Sequence, residues 1–362
     1  MKGQAVLSRF FLLLIVTSHL IFIPDGLVLS EETPFISEKY HWAVTKEKFE
    51  LAMQRLRLKK TRRRTPVILS HGFLVNSRFL NMTMEQSLAR YLAEEGFDVW
   101  NLSLRGSGRS LNPLRGGAKK WSLDDIIERD LGTVIRYVKK ESKSSRVSWV
   151  GFELGGLLAY GYLEKKHRWG FSAVVAIGAP ATLDRPEQEP MKKLLKLEDN
   201  SALKKIFLYL DGPLVARTLI PLLPTLEKLF YNPENMEERI KKKLFETALA
   251  PVNPGVLNHL LLMIRRGEFV SARGDFSYRR NLRKVRVPTL LIGGEKDPLA
   301  PPKALRDTYR RLGSKDRRLR IFGTKTKSSM PYGHLDLILG KKAREEVFPV
   351  IGRWLKGRDR RR

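Results

Sequence analysis

Residues 146–160 read RVSWVGFELGGLLAY, and this stretch decides the fold. The short apolar run before the first glycine predicts a buried strand, and the apolar pattern after the last glycines predicts a helix. A strand, a sharp turn and a helix form the setting in which a G-x-S-x-G motif presents a serine nucleophile, with Gly151 and Gly155 letting the backbone pack closely. The central residue of this motif is Glu153. The sequence therefore predicts the framework for nucleophilic catalysis without its usual nucleophile.

Buried strands alternate with helices on both sides of this turn. Apolar runs of the buried-strand type begin near Thr65, Phe97, Phe171 and Val287, and helical patterns separate them. An alternating patch at residues 49–56 predicts a hairpin at the sheet edge. The regular alternation implies βαβ units, and hence an α/β fold with a mainly parallel central sheet flanked by helices. Ligands of such sheets bind at the carboxyl ends of the strands.

One long segment interrupts the alternation. Residues 184–281 are rich in helical patterns and in leucine, and they predict a helical cap inserted over the sheet edge where a site would lie. The core then has two parts, residues 31–183 and residues 282–362, and the second ends in a basic C-terminal tail. We expect most cap leucines to form its own core and a minority to line an apolar or acyl pocket.

The N-terminal segment, residues 1–30, has the pattern of an export signal. Lys2 and Arg9 precede an apolar run at residues 10–23, and Pro24 and Gly26 break that run. The run is shorter than the about 20 apolar residues of a membrane-spanning helix, yet an uncleaved anchor and an internal hydrophobic helix stay open as alternatives. We expect an exported protein that is periplasmic, secreted or anchored to a membrane through this segment.

The composition limits the partners. The chain carries 68 Lys and Arg against 38 Asp and Glu, a formal charge of +30, which favours an anionic membrane or envelope surface as partner. The basic clusters lack interleaved aromatic residues and a recognisable reading module, which argues against nucleic acid. No cysteine is present, and the six histidines show no metal-ligand spacing such as H-E-x-x-H. The sequence therefore implies neither a metal nor a cofactor.

Three residues stand in the chain order nucleophile, acid, histidine that hydrolases of this architecture use. They are Glu153 in the turn, Asp297 after a strand and His334 in a late loop. Ester hydrolysis needs a nucleophile, a histidine that moves protons and a carboxylate that holds the imidazole in its working tautomer. Phe73 follows His71 and Gly72 after a central strand, where its N–H would form part of an oxyanion hole.

Several motifs together carry a family resemblance: Tyr40-His-Trp-Ala-Val-Thr, His71-Gly-Phe-Leu, Gly96-Phe-Asp-Val-Trp-Asn-Leu-Ser-Leu-Arg-Gly, Gly151-Phe-Glu-Leu-Gly-Gly and Tyr332-Gly-His-Leu-Asp. The chain resembles the α/β-hydrolases and is similar to the acid lipase and related bacterial lipase-like hydrolases over residues 40–354, least so in the cap. The resemblance implies Asp297 as the acid and His334 as the base. It also implies an oxyanion hole made by the N–H groups of Phe73 and Leu154, and a small hydrophobic or acyl substrate or ligand.

Glu153 departs from this family at the nucleophile. A carboxylate that attacks an ester carbonyl would form an anhydride, so the serine reaction is not expected. Three hypotheses stay open. In the first, Glu153 attacks an sp³ carbon of an epoxide or alkyl substrate, as the aspartate of haloalkane dehalogenases and epoxide hydrolases does. In the second, the protein is a non-catalytic binder of a hydrophobic ligand or a partner. In the third, water activated by His334 or Glu153 sustains hydrolysis. We favour the second.

Overall fold

A computed structural model describes residues 36–59, 65–110, 120–166, 170–183 and 224–359. The predicted export signal and residues 184–223 of the predicted cap lie outside these ranges. Of the helices within them, none combines the length and the apolar composition that crossing a membrane requires.

Eight strands form one sheet, and its order places the predicted turn near the centre. The strands are β1 (Ile36–Val44), β2 (Glu50–Leu58), β3 (Val67–Ser70), β4 (Val99–Leu102), β5 (Val147–Phe152), β6 (Phe171–Ile177), β7 (Thr289–Gly294) and β8 (Arg317–Phe322). The order across the sheet is β1-β2-β4-β3-β5-β6-β7-β8. β2 is antiparallel to β1 and β4, and all other pairs are parallel. The predicted edge hairpin and the mainly parallel sheet are confirmed.

Helices cover both faces of this sheet. The described α-helices are α1 (Leu88–Glu94), α2 (Leu123–Asp125), α3 (Leu131–Glu141), α4 (Leu154–Lys166), α5 (Pro224–Phe230), α6 (Glu238–Lys243), α7 (Pro254–Arg266), α8 (Tyr278–Asn281), α9 (Pro302–Arg311), α10 (Asp336–Leu339), α11 (Ala343–Glu346) and α12 (Phe348–Lys356). α3 and α4 contribute to the core on one face, and α1 and α12 contribute to the core on the other.

β5 shows why its sequence is largely apolar. Val147 and Trp149 point into one core, whereas Val150 and Phe152 point into the other, because successive side chains of a strand alternate between faces. A strand buried on both faces has no position in contact with solvent, and its one polar side chain, Ser148, is buried as well. This double burial fixes the position of the turn that follows.

Two helices differ from what their sequences indicate. The apolar spacing of residues 82–96 predicts one helix with Gly96 as its stop, but α1 covers only Leu88–Glu94, because Ser87 caps its start by accepting a hydrogen bond from the N–H of Arg90 at 2.9 Å. Residues 343–354 predict a single closing helix, but the structure has two, α11 and α12. Pro349 lies in the first turn of α12, where its missing N–H is tolerated, so the chain breaks just before it.

Candidate active site

Glu153 lies in the predicted turn between β5 and α4. Its backbone has φ 46°, a left-handed conformation that costs a residue other than glycine about 1–2 kcal/mol. The two glycines allow the close approach: a Cβ on Gly151 would lie 2.2 Å from the carbonyl carbon of Gly155, and a Cβ on Gly155 would lie 2.4 Å from the carbonyl oxygen of Ser70. The strand, turn and helix predicted from the sequence are confirmed, and the strain falls on the residue that a hydrolase would use as nucleophile.

The Glu153 carboxylate binds the candidate oxyanion hole. The N–H of Phe73 donates to Oε2 of Glu153 at 2.7 Å. A Cβ on Gly72 would lie only 2.3 Å from that oxygen, so glycine at this position leaves the room it needs. Burial raises the pKa of Glu153, and the charge of His334 and the N–H groups of Phe73 and Leu154 offset only part of that rise. The side chain therefore sits where a substrate oxyanion would be stabilised.

Asp297 and His334 form the expected pair. Nδ1 of His334 lies 2.7 Å from Oδ2 of Asp297, and both side chains are buried. The other oxygen of Asp297 accepts hydrogen bonds from the N–H groups of Leu299 and Ala300 at 2.9 and 2.8 Å. Oδ2 of Asp297 accepts, so Nδ1 of His334 carries a proton and donates it to this bond. The second ring nitrogen, Nε2, has no hydrogen-bond partner within the described part of the chain.

The charge state of His334 follows from its neighbours. Burial alone would lower the pKa of His334, yet the carboxylates of Asp297 and Glu153 outweigh it and the pKa is raised. An imidazole held between two carboxylates keeps its second proton to a higher pH. That charge attracts Glu153 but removes the lone pair that a general base needs.

His71 has a structural role beside the hole. Its Nε2 accepts a hydrogen bond from the N–H of Leu104 at 3.0 Å, and its Nδ1 lies 2.9 Å from the carbonyl oxygen of Gly72, to which it donates. Burial lowers the pKa of His71 to about 4, so the ring is neutral at pH 7 and can make both bonds. It ties the loop that carries Phe73 to the end of β4.

Asp336 is a site residue whose role the sequence did not predict. Its buried carboxylate accepts hydrogen bonds from the N–H groups of Gly333 and Asn232, at 3.0 and 3.2 Å, and from Nδ2 of Asn235 at 2.8 Å. It therefore fastens the loop that carries His334 to the segment after α5. The available signal was a second carboxylate two residues after the histidine, but its partners lie about 100 residues away in the chain and cannot be read locally.

A pocket of about 420 Å³, including its open mouth, lies beside the hole. Phe73 and Leu154 both line it, together with apolar side chains that include Leu74, Trp121 and Val256. The cation in its wall, Arg105, is already paired with the carboxylates of Asp130 and Glu47. The wall thus offers apolar contacts and a neutralised cation.

The parallel sheet, the strained turn at the end of β5 and the Asp297–His334 pair define an α/β-hydrolase architecture. A family model described as alpha/beta hydrolase fold matches residues 65–338, and the chain belongs to this family.

Curated relatives are lipases. Triacylglycerol lipase 1 of Arabidopsis thaliana is 25% identical over 352 residues, covering 85% of this chain and 84% of the lipase. Lipase member K of Mus musculus is 26% identical over 342 residues, covering 82% of this chain and 81% of its own. The predicted resemblance to lipase-like α/β-hydrolases is confirmed.

Solved structures support the same fold. A thermophilic esterase from Thermogutta terrifontis superposes with a TM-score of 0.60 at 18% identity, over 89% of this chain and all of the esterase. An esterase from Exiguobacterium antarcticum also gives 0.60 at 18% identity, over 87% of this chain and 98% of its own. At this identity the likeness concerns the fold alone.

Proposed function

We propose that this lipase-like protein binds a small hydrophobic or acyl ligand and does not hydrolyse esters by the serine route. The observation that carries the proposal is the hydrogen bond from Phe73 N–H to Glu153 Oε2 at 2.7 Å. In an ester hydrolase this N–H receives the oxygen of the substrate. Removing one such donor costs a hydrolase about 100- to 1,000-fold in rate, and here the protein's own carboxylate occupies the donor.

The histidine supports the same proposal. The raised pKa of His334, held by Asp297 and Glu153, favours the charged ring in the range where a base must be neutral. Glu153 thus has two effects on catalysis: it fills the oxyanion hole and it holds the proton on the base.

The nature of the ligand is inferred from the pocket and the relatives. The pocket beside Phe73 and Leu154 has mixed walls, in which apolar side chains such as Leu74 and Val256 lie beside polar ones such as Ser107 and Asn253. Triacylglycerol lipases bind acyl chains, and a pocket inherited from such an ancestor would retain a place for one. Electrostatics restricts the ligand further, because an anionic head placed next to Glu153 would be repelled whenever that carboxyl is ionised.

The test compares the wild type with Glu153→Ser, Glu153→Ala and His334→Ala on aryl esters of short and medium acyl chains. We expect wild type and His334→Ala to give the same background rate. Glu153→Ser should exceed both by at least about 100-fold, since it empties the hole and supplies a nucleophile. Glu153→Ala empties the hole alone and should stay near background. Displacement of an uncharged fluorescent medium-chain acyl ester by an unlabelled acyl ester measures ligand binding by the wild type.

Two results would contradict the proposal. Wild-type turnover well above His334→Ala would mean that water activated by the histidine hydrolyses esters, which is the third hypothesis from the sequence. A wild type that binds no acyl ligand, with a silent Glu153→Ser variant, would mean that the pocket has been remodelled beyond the turn.

A second candidate is hydrolysis at an sp³ carbon with Glu153 as nucleophile. The observation that favours it is the asymmetry of the carboxylate: the N–H of Phe73 holds Oε2 and leaves Oε1 outside this hydrogen bond. Oε1 would attack the carbon as the bond to the halide or epoxide oxygen breaks, giving a glutamyl ester. Water, losing its proton to His334, would then attack Cδ of Glu153, with Oε2 becoming the oxyanion in the hole. The raised pKa of His334 works against this second step, because the step needs the neutral ring as base.

Isotope labelling tests this candidate. Turnover of an epoxide or haloalkane in heavy-oxygen water would place the label in the carboxylate of Glu153, because the water oxygen enters the glutamyl ester. Mass spectrometry of the peptide that contains Glu153 measures it. A turning-over protein with an unlabelled peptide would exclude Glu153 as the nucleophile.

We also infer export, from the charged start and the apolar run of residues 1–30. Fractionation of expressing cells, with N-terminal sequencing of the product, tests it. A full-length chain in the cytosolic fraction would contradict the inference.

A further inference from the structure

An exposed hydrophobic row lies on the edge strand β1. Among the described residues, the large hydrophobic side chains with the greatest exposure are Tyr40, Trp42, Val44 and Met84, between 42% and 56% exposed. The first three occupy alternate positions of β1 and therefore point to the same face of the sheet. Edge strands commonly carry charged residues that prevent association, so three hydrophobic side chains in this place favour a binding role. We call Tyr40, Trp42 and Val44 the β1 stripe.

The β1 stripe begins at the point along β1 beyond which helix α1 no longer packs over the strand. Ile36, at the start of β1, packs against the core that α1 helps to form, and Glu38 pairs with Arg90 of α1. Tyr40, Trp42 and Val44 follow on the same face but are exposed. The uncovered part of β1 is thus the half that runs toward its carboxyl end.

The strand register places the stripe at the same sheet edge as the candidate site. One row of paired residues crosses the sheet through His41, Met53, Leu102, Ser70 and Gly151. Trp42 and Val44 lie one and three residues beyond this row, and Glu153 lies two residues beyond it. Four strand spacings separate β1 from β5, which is about 19 Å. A surface that contacts the stripe therefore also lies close to the edge where the pocket opens.

Cations surround the stripe. Lys46 and Lys48 are exposed in the turn after β1, and the guanidinium of Arg109 stacks over the Tyr40 ring at 4.1 Å. The intervening Glu47 is directed to Arg105 and Arg129. No carboxylate of the described ranges forms an ion pair with Lys46 or Lys48.

One carboxylate moderates this charge. Glu50 lies opposite Val44 in the hairpin. Three cations therefore face one anion around an aromatic and aliphatic row. This combination matches the interface of an anionic bilayer, where Trp and Tyr rings lie at headgroup depth and basic side chains contact phosphates.

We propose that the β1 stripe docks on an anionic lipid surface, with Lys46, Lys48 and Arg109 contacting phospholipid headgroups. Docking by the stripe would present the pocket edge to lipid, whatever the pocket does with its ligand.

Site-specific labelling of the full chain tests this orientation. The chain has no cysteine, so Val44→Cys gives a single position for an environment-sensitive NBD fluorophore. The control is Lys315→Cys, an exposed position just before β8 at the opposite edge of the sheet. With vesicles of 30% phosphatidylglycerol in phosphatidylcholine, we expect a several-fold rise and a blue shift of emission at position 44 and no change at position 315. Pure phosphatidylcholine vesicles should leave both unchanged.

Charge removal provides a second measurement. Lys46→Gln with Lys48→Gln should weaken partition onto the anionic vesicles by about 30-fold, at about fivefold per lysine near the surface. Lys315→Gln with Lys342→Gln removes the same charge from exposed positions elsewhere and should weaken it by no more than about twofold, because screening limits distant charges. Unfolding midpoints equal to the wild type establish that the variants are folded.

Three results would overturn the proposal. Equal responses of both labels would mean adhesion without this orientation, and no response at position 44 would mean that the stripe does not meet lipid. A response at position 44 that follows protein concentration in the absence of vesicles would mean that β1 pairs with a second copy. None of these readouts depends on ligand binding or catalysis, so they are independent of the function proposed for the pocket.

Discussion

Two substitutions of Asp336 measure how firmly the candidate histidine loop is held. In the wild type, Oδ1 of Asp336 accepts from Asn232 N–H and Gly333 N–H, and Oδ2 accepts from Nδ2 of Asn235 and from Gly333 N–H. Asp336→Asn keeps Oδ1 as an acceptor for the N–H groups of Asn232 and Gly333. Its new amide faces Asn235, whose own Oδ1 is buried without a partner within the described residues, so a flip of the Asn235 amide restores the third hydrogen bond. Asp336→Ala removes all of them.

The difference between the two variants isolates the hydrogen bonds, because both side chains are neutral. In Asp336→Ala three buried donors lose their acceptor, at about 1 kcal/mol or more each, so we expect this variant to be about 3 kcal/mol less stable than Asp336→Asn. The difference should not vary with pH. Urea unfolding followed by circular dichroism measures it, and equal midpoints for the two variants would refute the assignment of Asp336 as the fastening of this loop.

The wild type should differ from Asp336→Asn in its pH dependence. Burial raises the pKa of Asp336 to about 6, above its ordinary value of 3.8. A carboxyl with a raised pKa contributes stability that is fully present below about pH 4 and is lost as the pH rises through about 6. The wild type should therefore lose about 3 kcal/mol relative to Asp336→Asn across that interval, at about 1.4 kcal/mol per pKa unit. A difference that stays constant from pH 4 to pH 7 would contradict this reasoning.

Two further predictions concern buried positions around the site. Glu164 on α4 is buried, and neither of its carboxylate oxygens has a partner among the described residues. Because burial raises the pKa of Glu164 to about 9, Glu164→Met should gain about 3 kcal/mol of stability in urea unfolding at pH 7. A gain that did not shrink toward pH 4.5 would contradict the prediction. Gly178 has φ +59°, and a Cβ there would lie 2.8 Å from Cε1 of His334, so Gly178→Ala should displace the ring and change the NMR titration of His334. The control is Gly274→Ala, at φ +72° with no contact under 3.5 Å. It carries the backbone strain alone and should leave the titration of His334 unchanged.

The turn and the order of the three candidate residues were predictable because their signals are local. A buried strand that meets glycines and then a helix is readable from about fifteen residues around Glu153. Asp297 follows the equally clear apolar run of β7, whereas His334 lies in the loop after β8, whose sequence RRLRIF is a weaker signal. A parallel sheet brings the carboxyl ends of its strands to one edge, so these local signals suffice to bring distant residues together.

The contacts of the side chains were not predictable in the same way. Glu153 reaches Phe73 N–H because position 72 lacks a Cβ, and that clearance depends on how two loops from different strands approach each other. Asp336 depends on Asn232 and Asn235, in a segment about 100 residues earlier. Even the start of α1 was decided by a local competition, because the cap at Ser87 outweighed a longer helical pattern.

The Asp297–His334 pair is weak evidence for catalysis, for a reason that the structure supplies. Asp297 is buried and accepts from two backbone N–H groups, and the imidazole supplies a further donor. Removing the ring would leave a buried charge short of a partner, which destabilises a fold whether or not it catalyses a reaction. Stability alone can therefore account for this pair, with or without catalysis. Glu153 is different, because burial of its carboxylate costs stability, and so does its positive φ, which only glycine would relieve. The fold alone gives no reason for a glutamate at this position, so the variants that decide between binding and catalysis are those of position 153.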